Sequence, residues 1–138
     1  MQNLIIKKDL TNIIVKARKA ARYNGHEICG LLINNGRFLE ILETKNVCSE
    51  GGHFQFNEKQ IIKIKKAVKE IGHEIVGTFH SHPAGVAKPG SGDIDNAVDD
   101  SLMLVIDCIG KEARMLRVAC DAPRPCNPRT DYRSRVMH

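Results

Sequence analysis

The sequence predicts a single α+β domain, a mixed α/β arrangement in which a central sheet is flanked by helices. Two segments carry apolar residues at spacings of three and four, which is the pattern of an amphipathic helix. Several shorter runs of isoleucine, leucine and valine are typical of strands. A chain of 138 residues has the usual size of one domain and is long enough to bury a core.

The first half of the chain is predicted to form a helix followed by a hairpin. Leu4–Ile6 is predicted as either a short first strand or an entry segment, and Asp9 or Thr11 can cap the helix that follows. Asn24 and Gly25 are expected to end that helix because both tolerate left-handed backbone geometry. The next two strands are expected at Ile28–Ile33 and Phe38–Val47, joined by a turn at Asn34-Asn35-Gly36.

The second half is predicted to contain a second helix and further strands. Asn57 is expected to cap this helix and Gly72 to end it, with a candidate short strand at His53–Phe56 before the cap. A short helix is expected from Asp93 to Val98. The remaining strands are predicted at His73–Phe79, Leu102–Ile106 and Ala113–Ala119.

Composition narrows the class of protein. No run approaches the roughly 20 apolar residues of a membrane helix, and a signal peptide is not expected at the N-terminus. The five cysteines are odd in number and scattered, which argues against a disulfide framework and favours the cytoplasm. The net charge of +5 is most simply explained by solvated helix faces, and otherwise by nucleic acid or an acidic partner protein.

The charge and the prolines are unevenly distributed along the chain. We expect residues 1–120 to form the folded domain and residues 121–138 to form a basic, Pro/Arg-rich C-terminal tail. The prolines and arginines of this tail predict an irregular backbone that buries little surface.

The residues with the clearest chemistry follow the strand predicted at 73–79. Residues two apart in a strand point to one face, so His80 and His82 are expected to project side by side before Pro83 stops the strand. Asp93, carried back by the Gly/Pro-rich loop, would add a carboxylate. Two imidazoles and a carboxylate are the ligands of a catalytic zinc site whose fourth position is open to water. Taken alone, a His-x-His pair is more often surface decoration.

A longer pattern around these residues resembles the JAMM metalloprotease motif, also called the MPN-plus motif. It consists of His80-Ser81-His82-Pro83, six further residues, and then Gly90-Ser91-Gly92-Asp93. The upstream segment His26-Glu27-Ile28-Cys29-Gly30 is similar to the glutamate segment of that family. In one departure, the family serine corresponds to position 90, which is glycine here, and Ser91 stands one place later.

The resemblance implies a compact, stand-alone MPN domain of prokaryotic type, with a curved sheet and a zinc site at the sheet edge. It also implies that Zn²⁺ is held by His80, His82 and Asp93. Glu27 would then be the catalytic base that takes the proton from water and passes it to the leaving amine. Without the resemblance, Glu27 would be interpreted as a surface residue after a turn.

Two choices around the loop stay open. Ser91 can donate to the developing oxyanion, but a backbone N–H of Gly90 or Gly92 can take its place. Asp95 is also near enough along the chain to reach the metal, although the spacing of the motif favours Asp93.

The resemblance implies a zinc-dependent metallo-isopeptidase/peptidase that hydrolyses the amide bond at the C-terminus of a ubiquitin-like modifier or sulfur-carrier protein. The alternatives are a non-catalytic MPN-fold binding scaffold and a RadC-like DNA-associated protein. The complete ligand set argues against a scaffold, and the serine between the two histidines argues against the RadC-like pattern. The expected partner is therefore a small protein substrate, with no membrane and with nucleic acid disfavoured, and a homodimer is left open.

Overall fold

A computed structural model describes residues 4–48, 54–83, 101–119, 127–133 and 135–137. Within them lie two helices, α1 (Lys7–Asn24) and α2 (Glu58–Glu70). Neither of these helices combines the length and the apolar character that crossing a membrane requires. The strands are β1 (Leu4–Ile6), β2 (Cys29–Asn34), β3 (Leu39–Thr44), β4 (Glu74–His82), β5 (Leu102–Asp107), β6 (Glu112–Ala119), β7 (Asn127–Arg133) and β8 (Arg135–Met137).

Six of the strands form one sheet in the order β3-β2-β4-β5-β6-β7. β4 and β5 are parallel, whereas the other neighbours in this sheet are antiparallel. β1 and β8 form a separate parallel pair. The predicted mixed α+β class is therefore confirmed. β4, the strand that carries the histidine pair, is an internal strand whose two backbone edges are held by β2 and β5.

The strand register divides the sheet into two faces. Gly30 of β2 lies opposite Phe79 of β4, which lies beside Leu104 of β5. This face packs against Ile13 and Ala17 of α1 and forms the main apolar core. Burying side chains such as Phe79 and Leu104 contributes about 1.5–3 kcal/mol each. The alternate residues of the same strands, including both histidines, belong to the opposite face.

The helix ends are as predicted at three of four positions. Gly25 follows α1 with φ of 69° and Gly72 follows α2 with φ of 75°, so both glycines supply left-handed geometry. Asn57 caps α2 by accepting a backbone N–H at 3.0 Å. The predicted cap of α1 at Asp9 or Thr11 is wrong, because β1 runs directly into the helix and both residues lie inside it.

Two strands end three residues away from the predicted position. β3 ends at Thr44 rather than Val47, because the backbone beyond it turns away to contact the segment before α2. β4 continues to His82, so the two histidines lie within the strand rather than after it. The longer β4 places His80 between Cys29 of β2 and Val105 of β5, and it pairs His82 with Asp107 of β5.

The irregular backbone expected beyond residue 121 is wrong for the two described segments there. β7 pairs antiparallel with β6, and β8 pairs parallel with β1. Pro128 is compatible with β7 because β7 is an edge strand, where the missing N–H need not disrupt a ladder. The boundary between the domain and the basic tail stays a prediction.

Candidate metal centre and catalytic base

His80 and His82 converge at the C-terminal end of β4. Their Nε2 atoms are 3.1 Å apart, and their ring centroids are 5.0 Å apart. Two nitrogen ligands at about 2.0–2.1 Å from one tetrahedral zinc ion lie roughly 3.3 Å from each other. The observed separation therefore fits two ligands of one zinc ion with little change in either ring. It also suits a hydrogen bond in which the Nε2–H of one ring donates to the other Nε2.

The His80 ring is held by a residue that the sequence did not indicate as functional. The ring of Phe54 stacks on the imidazole of His80, with centroids 4.8 Å apart and planes inclined by 17°. Phe56 in turn contacts Phe54 edge-on at 5.4 Å. His80 is completely buried, whereas His82 is half-buried. The more deeply buried ligand candidate is thus oriented by an aromatic face, and the other remains accessible from outside.

The antiparallel pairing of β2 with β4 brings Glu27 towards the two histidines. Cys29 lies opposite His80, and continuing that antiparallel register by two residues sets Glu27 opposite His82. Residues directly opposite each other in an antiparallel pair share a face of the sheet. The carboxylate is therefore assigned to the histidine face, and Glu27 is only 4% exposed. The interpretation of Glu27 as an exposed residue after a turn is not supported.

Ser81, the residue between the two histidines, joins the two strands at this point. Its backbone N–H donates to the Ile28 carbonyl oxygen at 3.0 Å, and its Oγ accepts the Ile28 N–H at 2.9 Å. Ser81 is completely buried and, by the alternation of β4, lies on the face opposite the histidines. The serine of the motif thus anchors the residue that directly follows Glu27.

Cys29 lies beside the candidate site but is poorly suited to nucleophilic chemistry. Burial, together with the nearby carboxylates of Glu27 and Glu43, raises the pKa of the Cys29 thiol from 9.0 to about 11. Burial likewise raises the pKa of Cys108. A thiol with a raised pKa is protonated at neutral pH and is a weak nucleophile. These thiols are therefore poor candidates for a nucleophile, and the imidazoles and the carboxylate stay the candidate functional groups of this region.

The part of the predicted site that follows Pro83, residues 84–100, lies outside the described residues. This applies to Asp93 and Asp95 as ligands, to the short helix expected at 93–98, and to Ser91 and its neighbouring glycines as oxyanion donors. Among the residues that the structure does describe, no group of three or more His, Cys, Asp or Glu side chains is arranged to hold a metal ion. The third ligand thus stays a prediction.

These features together define a compact JAB/MPN-type domain. The sheet is mixed, the paired histidines end an internal strand, and a buried glutamate lies just before the neighbouring strand β2. Residues 8–121 match the family described as prokaryotic homologs of the JAB domain, and the chain belongs to this family. No curated protein sequence matches the chain.

Solved structures show the same fold at low sequence identity. A protein from Desulfitobacterium hafniense, determined in solution, superposes with a TM-score of 0.73 at 22% identity, covering 99% of this chain and 92% of that one. A JAB1/MPN domain protein from Archaeoglobus fulgidus gives a TM-score of 0.52 at 16% identity, with both chains fully covered. Identities this low establish the fold but do not transfer an activity.

Proposed function

We propose that the protein is a zinc-dependent metallo-isopeptidase or peptidase that hydrolyses the amide bond at the C-terminus of a ubiquitin-like modifier or sulfur-carrier protein. The observation that carries the proposal is the 3.1 Å separation of the two histidine Nε2 atoms on the face to which the buried Glu27 is assigned. His80, His82 and Asp93 would hold the metal, with Glu27 as the catalytic base. Family membership favours this arrangement over a chance His-x-His pair.

The chain's own residues divide the work of hydrolysis. A bound zinc ion would supply a Lewis acid for the scissile carbonyl and a water of lowered pKa. Glu27 would accept a proton from the attacking water and return it to the leaving amine, the usual role of a carboxylate that is near a metal site but is not a ligand. Burial limits the side-chain motion of both Glu27 and His80. The proposed base and one proposed ligand therefore keep a fixed position relative to each other.

The proposed substrate class rests on the family to which the chain belongs and not on a binding surface seen in the structure. A modifier or sulfur carrier ends in an extended Gly-Gly segment, and a compact domain without long insertions suits a small protein ligand. Cys29, Cys48 and Cys108 are free thiols, which supports a reaction in the reducing cytoplasm. A non-catalytic scaffold is the competing interpretation, and it predicts binding without cleavage.

The proposal is tested by offering the zinc-loaded chain a panel of ubiquitin-like and sulfur-carrier proteins, each joined through its C-terminal glycine to a lysine side chain or a peptide. We expect cleavage after that glycine, loss of cleavage with a zinc chelator, and recovery when zinc is restored. The matched control is a fusion in which the terminal Gly-Gly is replaced by Ala-Ala. Binding of the fusions with no cleavage of any of them, by protein that contains one zinc per chain, would favour the scaffold.

A further inference from the structure

The side chain of Asn46 makes three hydrogen bonds to backbone groups from three places in the chain. Its Nδ2 donates to the Glu27 carbonyl oxygen at 2.9 Å. Its Oδ1 accepts the N–H of Cys48 at 2.9 Å and that of Gln55 at 3.0 Å. All three distances are those of good N–H···O hydrogen bonds. Asn46 therefore links the glutamate segment to the segment that precedes α2.

We propose that Asn46 is a positioning residue for the base Glu27, an inference that rests on the proposed hydrolytic function. The ladder of β2 begins at Cys29, so the backbone of Glu27 lies just beyond it. Ser81 holds the adjacent Ile28 from the β4 side, and Asn46 holds the Glu27 carbonyl from the other side. With the backbone held on both sides, the direction of the carboxylate depends mainly on its own side-chain rotations.

The side-chain amide of Asn46 is also linked, through Gln55 and Phe54, to the histidine His80. Gln55, whose N–H donates to Asn46, is the neighbour of Phe54, and the Phe54 ring stacks on His80. The backbone N–H of Val47 donates to the Gln55 carbonyl oxygen at 2.9 Å and reinforces this contact. The half-buried Asn46 thus connects the candidate base with the ring that orients a candidate ligand.

Asparagine suits this position because its planar amide is a donor on one side and an acceptor on the other. Asn46→Asp conserves the shape and the two accepted hydrogen bonds, but a carboxylate cannot donate to the Glu27 carbonyl. Asn46→Leu has similar volume and loses all three bonds. The two variants therefore separate the link to Glu27 from the link to the Phe54 segment.

The first measurement is amide hydrogen exchange on the full zinc-loaded chain and does not depend on activity. In Asn46→Asp we expect the Ile28 N–H to exchange at least tenfold faster, whereas Cys48 and Gln55 exchange within about threefold of wild type. In Asn46→Leu all three amides should exchange faster. Unchanged exchange at Ile28 in Asn46→Asp would overturn the proposal.

The second measurement is a double-mutant cycle with a cleavable Gly-Gly fusion from the panel described above. Asn46→Asp should lower kcat about tenfold or more with KM within about twofold and unchanged zinc content, because only the base is displaced. In a Glu27→Gln background it should have less than about a twofold further effect. A full, additive effect in that background would overturn the proposal. If wild type cleaves no fusion, the proposed function fails, and the exchange measurement alone still decides whether Asn46 holds Glu27.

Discussion

Gly30→Ala tests the close packing of β2 against the β3 backbone and against Phe79 of β4, the strand whose register with β2 brings Glu27 to the histidines. A methyl group at Gly30 would overlap both the Leu42 carbonyl oxygen and the edge of the Phe79 ring, and it would lie 2.9 Å from the Cα of Glu43. Optimal contacts between carbon atoms are about 3.5–4.0 Å, so the strands or the ring must move by on the order of 1 Å. Two of the three obstacles are backbone atoms of β3, which cannot shift without disturbing the β2–β3 ladder.

The expected loss of folding stability is larger than that of an ordinary glycine substitution. Overpacking costs about 1–3 kcal/mol and weakened ladder hydrogen bonds add to it, so we expect a loss of about 3 kcal/mol or more in the free energy of unfolding. For a domain of this size the melting temperature should fall by roughly 10 °C.

Urea denaturation of Gly30→Ala beside a matched control provides the measurement. The control is Gly25→Ala, because Gly25 has φ of 69° but no atom within 4 Å of the added methyl group. Gly25→Ala should lower the free energy of unfolding by only about 1 kcal/mol, because alanine is disfavoured in left-handed backbone geometry. If Gly30→Ala is as mild as this control, Gly30 is not packed against the β3 backbone and the Phe79 ring as described, and the strand register that assigns Glu27 to the histidine face loses support.

Three further predictions concern the surroundings of the site. Ser81→Ala should lower the free energy of unfolding in urea by about 1–3 kcal/mol, because the buried N–H of Ile28 loses its acceptor. A Cys29 pKa raised to about 11 stabilises the fold below pH 9, and this contribution is lost as the pH rises through 11. The free energy of unfolding of wild type should therefore fall by about 2 kcal/mol more than that of Cys29→Ala between pH 8 and 11. Parallel pH profiles of the two proteins would contradict the raised pKa. Zinc analysis of Asp93→Ala and Asp95→Ala should show loss only in the first variant, and the reverse result would reassign the third ligand.

The histidine pair could be predicted because its geometry is local. A period of two along a strand is sufficient to place His80 and His82 on one face, and the structure brings their Nε2 atoms together. The caps at Gly25 and Asn57 are local for the same reason, since each depends on one residue and the adjacent turn. The start of α1 was missed because β1 runs into it, which no capping rule describes.

The supports of the site could not be predicted because they join distant segments. The stacking of Phe54 on His80 spans the whole of α2, and the bond from Asn46 to the Glu27 carbonyl depends on where β3 ends. Composition and periodicity contain no information about such contacts. The pairing of β7 with β6 could not be predicted either, because prolines and arginines locally favour irregular structure. An edge strand nevertheless tolerates these residues.

Metal content and cleavage rate, measured together on wild type, Glu27→Gln and the double variant His80→Ala/His82→Ala, test the central claim most directly. We predict about one zinc per chain in wild type and in Glu27→Gln, none in the double variant, and cleavage by Glu27→Gln reduced by on the order of 10²-fold or more. This result would separate a metal site made by the histidines from a base that does not bind the metal. Wild-type cleavage by Glu27→Gln, or zinc retained by the double variant, would contradict the account.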